Sequence, residues 1–254
     1  MTKTTRLDTT VSNKLSISRT LAQDLIKGGQ VKVNGKTTLK SGAKVDESHE
    51  VIVEGNLQSF VSRGGFKLQA AIEEFAIDLS GLVCMDVGAS SGGFSDCMVQ
   101  NGALKVYAVD SGTDQLKDEL KTNPAIISME KTDIRKLEPS TIEEIDFISV
   151  DVSFISLEKI LPYIYRFMKE GASAVLLVKP QFEAGIGAVD KKGIVRNPKI
   201  RCKVLNKVYN YAKEVGFICK AHIESPIKGG DGNVEYLMHV IKATSINPIS
   251  AAER

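Results

Sequence analysis

The sequence predicts an α/β fold: a doubly wound parallel sheet with an antiparallel last strand, preceded by a small α+β module. Three observations predict it. From Phe60 onward, short apolar runs alternate with helical stretches, the pattern of strand–helix units in a parallel sheet. One such run, Leu82-Val83-Cys84-Met85, reaches Asp86, breaks into Gly88, Gly92 and Gly93, and resumes at Phe94; it reads as a buried strand, a tight turn and a helix. The last two candidate strands are joined only by residues 225–234, too short for a helical crossover, so they should pair antiparallel.

In chain order, Ser18-Arg19-Thr20 opens a helix with Ser18 as its N-cap. Leu21, Leu25 and Ile26 share one helical face, and Gly28-Gly29 ends the helix. Val31 and Val33 alternate with Gln30, Lys32 and Asn34, and Asn34-Gly35 is a hairpin-turn pair. Val51-Ile52-Val53 adds a strand before a linker at Glu54-Gly55-Asn56. Beyond it, strands are expected over 83–87, 105–109, 126–129, 147–151, 175–179, 217–222 and 235–241. Helices are expected over 67–75, 94–100, 155–168 and 199–215. A parallel sheet closed by a hairpin is the class I (Rossmann-like) methyltransferase layout. The expected division is a first domain over 1–55, a linker over 56–62, a second domain over 63–244 and a tail over 245–254.

Composition narrows the class. The 254 residues are 43% hydrophobic and 25% charged, ordinary for a globular protein. No apolar run approaches the roughly 18 residues a membrane span needs, and MTKTTRLDTT lacks a signal-peptide core, so a cytoplasmic protein is expected. The four cysteines show no C-x-x-C pairing and the three histidines no ligand spacing, which argues against a metal centre or a disulfide framework. The net charge of +2 hides an asymmetry: residues 1–45 carry nine Lys/Arg against Asp8 and Asp24, and the remainder 24 against 29. A concentrated basic segment suits a nucleic-acid phosphate backbone.

The glycine spacing is not G-x-G-x-x-G, and no G-K-[ST] follows; that points away from NAD and ATP and towards S-adenosylmethionine. Asp110 ends the second strand, where an acid can accept from a ribose diol. Asp133 follows the third strand, where it can meet an adenine amino group. Four further charged residues stand beside or at the ends of apolar strands: Lys67, Asp151, Lys179 and Glu235. Such charges are costly to bury unless paired, and two lysines with two carboxylates at one sheet edge would offset one another. Lysines crowded together and partly desolvated give up a proton more readily. Such a lysine can take the proton of a ribose 2′-hydroxyl while its oxygen attacks a sulfonium methyl, with no metal needed.

The amino-terminal segment resembles the S4 RNA-binding domain at Arg6-Leu7-Asp8, Ser18-Arg19, Ala22, Leu25-Ile26, Gly29, Val31, Val33, Asn34 and Gly35. That resemblance implies that Arg6, Arg19, Lys27 and Lys32 lie near an RNA backbone. Residues 62–240 are similar to the TlyA family, an S4 domain joined to an FtsJ-like RNA 2′-O-methyltransferase domain, through SRGGFKL, DVGASSGGF, DVSFISL, LVKPQFE and GNVEY in that order. The family's K-D-K-E tetrad then falls on Lys67, Asp151, Lys179 and Glu235. Its cofactor positions imply Gly88, Ser90, Ser91, Gly92, Phe94, Asp110, Asp133 and Phe154, with Asp86 leading into them. The implied substrate is a cytidine 2′-hydroxyl of ribosomal RNA, and the implied cofactor is S-adenosylmethionine.

Two departures stand out. Ser111-Gly112-Thr113 lacks the aromatic that relatives often carry after the glycine, and no clear helix follows the last strand, which points to the large subunit as target. The connection over 182–198 is long enough to be functional and holds Lys191, Lys192 and Arg196; with Arg63 these are expected to touch phosphates. Two other classes compete with the enzyme. A noncatalytic assembly factor is disfavoured by the intact tetrad. A haemolysin, a historical label in the family, would need an amphipathic or spanning segment, and none is evident.

Overall fold

A seven-stranded sheet carries the carboxyl-terminal part of the chain, with strand order β11-β12-β10-β9-β6-β7-β8. The computed structural model describes residues 4–15, 17, 19–53, 60–185 and 187–244. The strands are β6 (Val83–Val87), β7 (Lys105–Val109), β8 (Ile126–Met129), β9 (Ile145–Val150), β10 (Met168–Val178), β11 (Phe217–Glu224) and β12 (Tyr236–Lys242). Strands β6 to β10 are mutually parallel, and β12 is antiparallel to both β10 and β11. The short 225–234 connection thus makes the expected hairpin.

The central strand explains its own sequence. All five residues of β6 are buried, because strands flank it on both sides and helices cover both faces. Alternate residues point to opposite faces. Met85 and Val87 join Val109, Ile148 and Leu176 in one apolar cluster, completed by Val204, Val208 and Ala212 of helix α8 (Pro198–Val215). Cys84 joins Val106, Phe147 and Leu177 in the other, covered by Leu68 and Ala71 of α3 (Gly64–Glu74) and Cys97 and Met98 of α4 (Gly93–Gln100). The parallel strands therefore deliver Val87, Val109, Val150 and Val178 to a common edge, where the predicted site residues follow.

One expected element is redrawn. The helix expected over 155–168 is a 3₁₀ turn, Leu157–Lys159, and a short helix α6, Leu161–Phe167. Met168 already belongs to β10, paired with Ile145. Gly171, at φ +75°, interrupts the register between Met168 and Ser173, which is why only the second half of β10 reads as a strand in the sequence. A short helix α7, Pro180–Glu183, opens the long connection after β10, with α5 (Asp118–Lys121) lying earlier between β7 and β8.

The amino-terminal module packs α1 (Leu7–Leu15) and α2 (Arg19–Lys27) on small antiparallel strands. These are β1 (Thr5–Arg6) with β4 (Lys44–Val45), and β2 (Val31–Val33) between β3 (Lys36–Thr37) and β5 (Val51–Val53). Asn34 and Gly35 both adopt positive φ, 49° and 74°, as a two-residue hairpin turn requires. Leu7, Val11, Ala22, Leu25, Ile26, Val31, Val45 and Val51 form its core, and Phe66 from α3 packs against that core. The Ser18 cap and the Glu54-Gly55-Asn56 linker lie outside the described residues, as does the side chain of Leu21.

Candidate active site

The turn after β6 is set by close backbone approach. Gly88 has φ +88°, and a Cβ there would stand 2.6 Å from the Asp151 carbonyl oxygen; only glycine lets β6 and β9 converge so tightly. Gly88 and Ala89 both donate to the Val109 carbonyl, at 2.9 and 3.2 Å. Asp110 then ties two turns together: one oxygen accepts from the Ser90 N–H at 2.7 Å, the other from the Gly112 N–H at 2.6 Å. Ser90 is held at φ +48°, an uncommon backbone state for a side-chain-bearing residue that draws attention to a functional turn.

Behind the turn lie two of the predicted residues. Asp86 is fully buried, accepting from Ser95 Oγ at 2.7 Å and Ser149 Oγ at 3.1 Å. Burial pushes its carboxyl up to about 7, with the hydroxyls opposing only in part. Gly92, at φ +91°, starts α4, and a Cβ there would run into Leu120 and Leu116. Both residues shape the turn from within the protein, and neither lines the two cavities that adjoin it.

The four ionisable residues meet in two pairs. Lys67 Nζ lies 2.6 Å from Glu235 Oε2, both side chains buried. Lys179 Nζ lies 2.6 Å from Asp151 Oδ1 and 2.7 Å from Ser153 Oγ. Lys67 comes from the buried face of α3, Asp151 and Lys179 directly follow β9 and β10, and Glu235 directly precedes β12. Four distant points of the sequence thus reach one edge of the sheet. All four line one cavity of about 350 Å³, together with Arg63, Gly88, Ser90, Ser91, Phe94 and Gln181.

A second cavity of about 480 Å³ adjoins it. The two share Gly88, Ser90, Asp151, Ser153 and Phe154 as a common wall. The second is lined by Asp110 and Asp133 and by apolar Val109, Ile134, Ile155 and Ile160. Asp133 is held by Arg135 through Nε at 2.9 Å and Nη2 at 2.7 Å, and the guanidinium keeps its carboxyl below the usual range. One lobe is therefore ionic; the other sets carboxylates beside apolar side chains.

Phe154 stands between the lobes, 91% exposed and at φ +63°, its ring centroid 5.0 Å from that of Phe182. The segment after it is pinned to α7 by Glu183, which accepts from Ser156 Oγ at 2.6 Å and the Leu157 N–H at 2.7 Å. Gln181 on α7 donates to Glu235 Oε1 at 3.4 Å, while its own buried Oε1 has no partner among the described residues. Sequence reading missed Gln181 and Ser153 as lining residues. Their signal was position: each stands two residues beyond a charged strand end already singled out.

Two loops are tied to each other, and the second lines the ionic lobe. Asp190 orders the first, accepting from the Lys192 and Ile194 N–H groups at 2.8 and 2.9 Å and from Arg196 Nε at 2.7 Å. Lys191 and Lys192 are left exposed at its tip. The second loop is the hairpin between β11 and β12, from which Gly229, Gly230 and Asp231 line the cavity. Asn233, buried, joins them: its Oδ1 accepts from the Val195 N–H at 2.9 Å, and its Nδ2 donates to the Gly193 carbonyl at 3.0 Å.

The basic residues expected on RNA in the amino-terminal module are partly engaged. Arg6 donates to Asp8 through Nε and Nη2, at 3.0 and 2.8 Å. Arg19 lies 3.3 Å from the same carboxylate, and Gln23 donates to it at 2.8 Å. Asp8 is wholly buried and both arginines are about half exposed, so each keeps a face to water. Lys27 is exposed at the end of α2, and Lys32 lies on β2. Arg63 stands beside Gly230 at the cavity.

Known proteins are similar to this chain over most of its length. A family model for FtsJ-like methyltransferases matches residues 60–242, and one for the S4 domain matches residues 5–51. A Bacillus subtilis protein named as a candidate rRNA methyltransferase, YqxC, is 42% identical over 94% of this chain and 86% of its own length. The 16S/23S rRNA (cytidine-2′-O)-methyltransferase TlyA of Mycobacterium tuberculosis is 36% identical over 94% of this chain and 90% of its own. A solved structure from Streptococcus thermophilus, named as a candidate hemolysin, superposes with a TM-score of 0.73 at 40% identity, covering 96% of this chain and 90% of that one.

Proposed function

The chain belongs to the TlyA family, an S4 domain followed by an FtsJ-like methyltransferase domain, and from that premise we propose that it methylates a ribose 2′-hydroxyl of ribosomal RNA, on cytidine, with S-adenosylmethionine as donor. The observation that carries this reading is the bipartite cavity: two lysine–carboxylate pairs line one lobe, and the turn at Gly88–Ser90 leads into the other. The lobes suit a donor with a charged amino-acid end and a flat adenosine end. Gln181 Oε1, buried and unpartnered among the described residues, supplies a spare acceptor at the ionic end; Asp110 and Asp133 supply carboxylates for ribose hydroxyls and an amino group. When bound, the donor supplies a methyl carbon on sulfur that is open to in-line attack by oxygen.

The residues divide the remaining work. Lys179 Nζ stands where the 2′-hydroxyl proton would be taken up, and Asp151 and Ser153 fix where that nitrogen points. Lys67, locked to Glu235, holds the other side of the lobe and orients the attacking oxygen. Arg6, Arg19, Lys27, Lys32, Arg63, Lys191, Lys192 and Arg196 hold the phosphates around it. No helix among the described residues is long and apolar enough to cross a membrane.

The test is transfer of tritiated methyl from S-adenosylmethionine to purified 30S and 50S subunits, followed by mapping of 2′-O-methyl positions. Label on a cytidine ribose of either subunit is expected. Absence of label on either subunit and on intact ribosomes would favour the noncatalytic assembly role.

A further inference from the structure

Outside the cavity, the most uneven charge of the catalytic part lies on one helix. Residues 60–244 hold 23 Lys/Arg against 24 Asp/Glu. Helix α8 nevertheless holds Lys199, Arg201, Lys203, Lys207 and Lys213 against Glu214 alone. Its buried residues Val204, Leu205, Val208 and Ala212 fix the inward face. The helical period then turns Lys199, Lys203, Asn206, Asn210 and Lys213 outward as one stripe, and all five are exposed.

The other basic residues of the helix are occupied. Arg201 turns inward to Tyr236 Oη at 3.2 Å and to the Val195 and Arg196 carbonyls at 3.2 and 3.0 Å, bracing the loop that precedes the helix. Lys207, on the flank, pairs with Glu158 at 3.1 Å. Lys199, Lys203 and Lys213 pair with no carboxylate among the described residues; Lys213 lies 5.4 Å from the ring of Tyr209. The stripe spans about 21 Å. It starts directly beyond the Lys191–Lys192 turn, where Asn197 caps α8 by accepting from the Lys199 N–H at 2.9 Å. From there it runs from the cavity edge of the sheet towards the opposite edge.

We propose that this stripe is a track for RNA phosphates, continuing from the mouth of the cavity and separate from the amino-terminal module; it rests on the RNA reading above. Three unpaired ammonium groups on one side of a helix, interleaved with two amides that can donate to phosphate oxygens, match a backbone of regularly spaced anions. The rest of residues 60–244 holds 18 Lys/Arg against 23 Asp/Glu, so the helix is the favourable path for an anionic backbone. The track has no means of reading bases, so its contribution is register and affinity.

The test uses the full chain with Lys199→Ala, Lys203→Ala and Lys213→Ala combined, and Lys207→Ala as the control. Binding to a ribosomal RNA fragment is measured against salt, and methyl transfer is measured on subunits. The triple variant should bind about tenfold more weakly at 0.1 M salt, with the slope of log affinity against log salt shallower by about two. Its affinity for S-adenosylmethionine should be unchanged, and Lys207→Ala should match the wild type. A triple variant with wild-type RNA affinity and slope overturns the track while leaving the enzymatic reading in place. If wild type binds RNA but transfers no methyl, the enzymatic reading fails and the track is still scored by binding. Wild type that binds no ribosomal RNA overturns both. Loss of binding to phosphatidylserine vesicles with RNA affinity intact would assign the stripe to a lipid surface and overturn the proposal.

Discussion

Asp8 in the amino-terminal module and Asp86 beneath the glycine turn are both wholly buried, yet they carry charge differently. Asp8 is met by two guanidiniums and an amide, and the Arg6 hydrogen bond leads in holding its carboxyl far below the usual range. Asp86 is met by two serine hydroxyls and the Ser95 backbone N–H, none of them charged, and desolvation carries it up to about 7. Burial penalises the charged form in both places, most at Asp86 deep beneath the turn; at Asp8 the arginine hydrogen bond outweighs it. The cavity extends the lesson. Lys67–Glu235 and Lys179–Asp151 are paired as Asp8 is, but they face open space instead of packed protein. A charge paired inside packed protein holds the fold, whereas one paired beside a cavity is available for chemistry.

The hardest test of that distinction is Lys179→Ala. If the cavity pairs serve chemistry, methyl transfer should fall by about 10²–10⁴-fold, while the melting temperature shifts by no more than about 3 °C. A variant that unfolds, or one that retains transfer, would place Lys179 with Asp8 as a structural charge. Asp8→Ala should behave in the opposite way. Removing the carboxylate leaves Arg6 and Arg19 to find water, and the loss should be about 1–3 kcal/mol of stability in the amino-terminal module, read by denaturant unfolding. The affinity for S-adenosylmethionine should not change. A weakened donor affinity would show that the two regions are not energetically separate.

The two aspartates should also respond to pH in opposite directions. The folded value of Asp8 lies below its unfolded value of about 3.9, so its contribution is present above about pH 4 and is lost as pH falls below that. The folded value of Asp86, about 7, lies above its unfolded value, so its contribution is present below about pH 4 and is lost as pH rises through 7. Urea unfolding followed between pH 5 and 8 should show stability declining from the Asp86 term, and Asp86→Asn should flatten that decline. Asp8→Asn should flatten only the acid limb. A decline between pH 5 and 8 that survives Asp86→Asn would mean that another group sets it.

How much of this could be read from the chain alone follows the range of the interactions. Strand β6 was legible to the residue because a run of apolar side chains between turn residues depends on nothing distant. Asp151 and Lys179 were legible because a charge at the end of a buried strand is locally anomalous, whereas Lys67, on α3, and Glu235, before β12, were singled out by the motifs SRGGFKL and GNVEY; the division of the four into two pairs needed the sheet order. Helix α1 escaped notice because LDTTVSNKL is rich in β-branched and polar residues of modest helix propensity; it is the packing of Leu7 and Val11 that holds it. Arg19 reaching Asp8, and Gln181 reaching Glu235, depend on how separate elements pack, and no local pattern encodes that.

Asn233 is the clearest case of such a distant role, and it gives the smallest predicted effect. Its amide spans 38 residues of sequence to the Val195 N–H and also meets the Gly193 carbonyl. The hairpin that leads into Glu235 and the turn that presents Lys191 and Lys192 are thereby fixed to each other. In Asn233→Ala both bonds disappear and the turn keeps only the bonds to Asp190; on the RNA reading proposed above, binding must then fix its position. Ordering a few side chains on binding costs roughly 0.5–1.5 kcal/mol each, so KM for RNA should rise roughly two- to tenfold with kcat little changed. In a chain already carrying Lys191→Ala and Lys192→Ala, Asn233→Ala should then add nothing to KM, since the turn it fixes no longer holds phosphate. A fall in kcat instead, persisting in that background, would show that Asn233 acts through Glu235, and the cavity would owe its geometry to the hairpin alone.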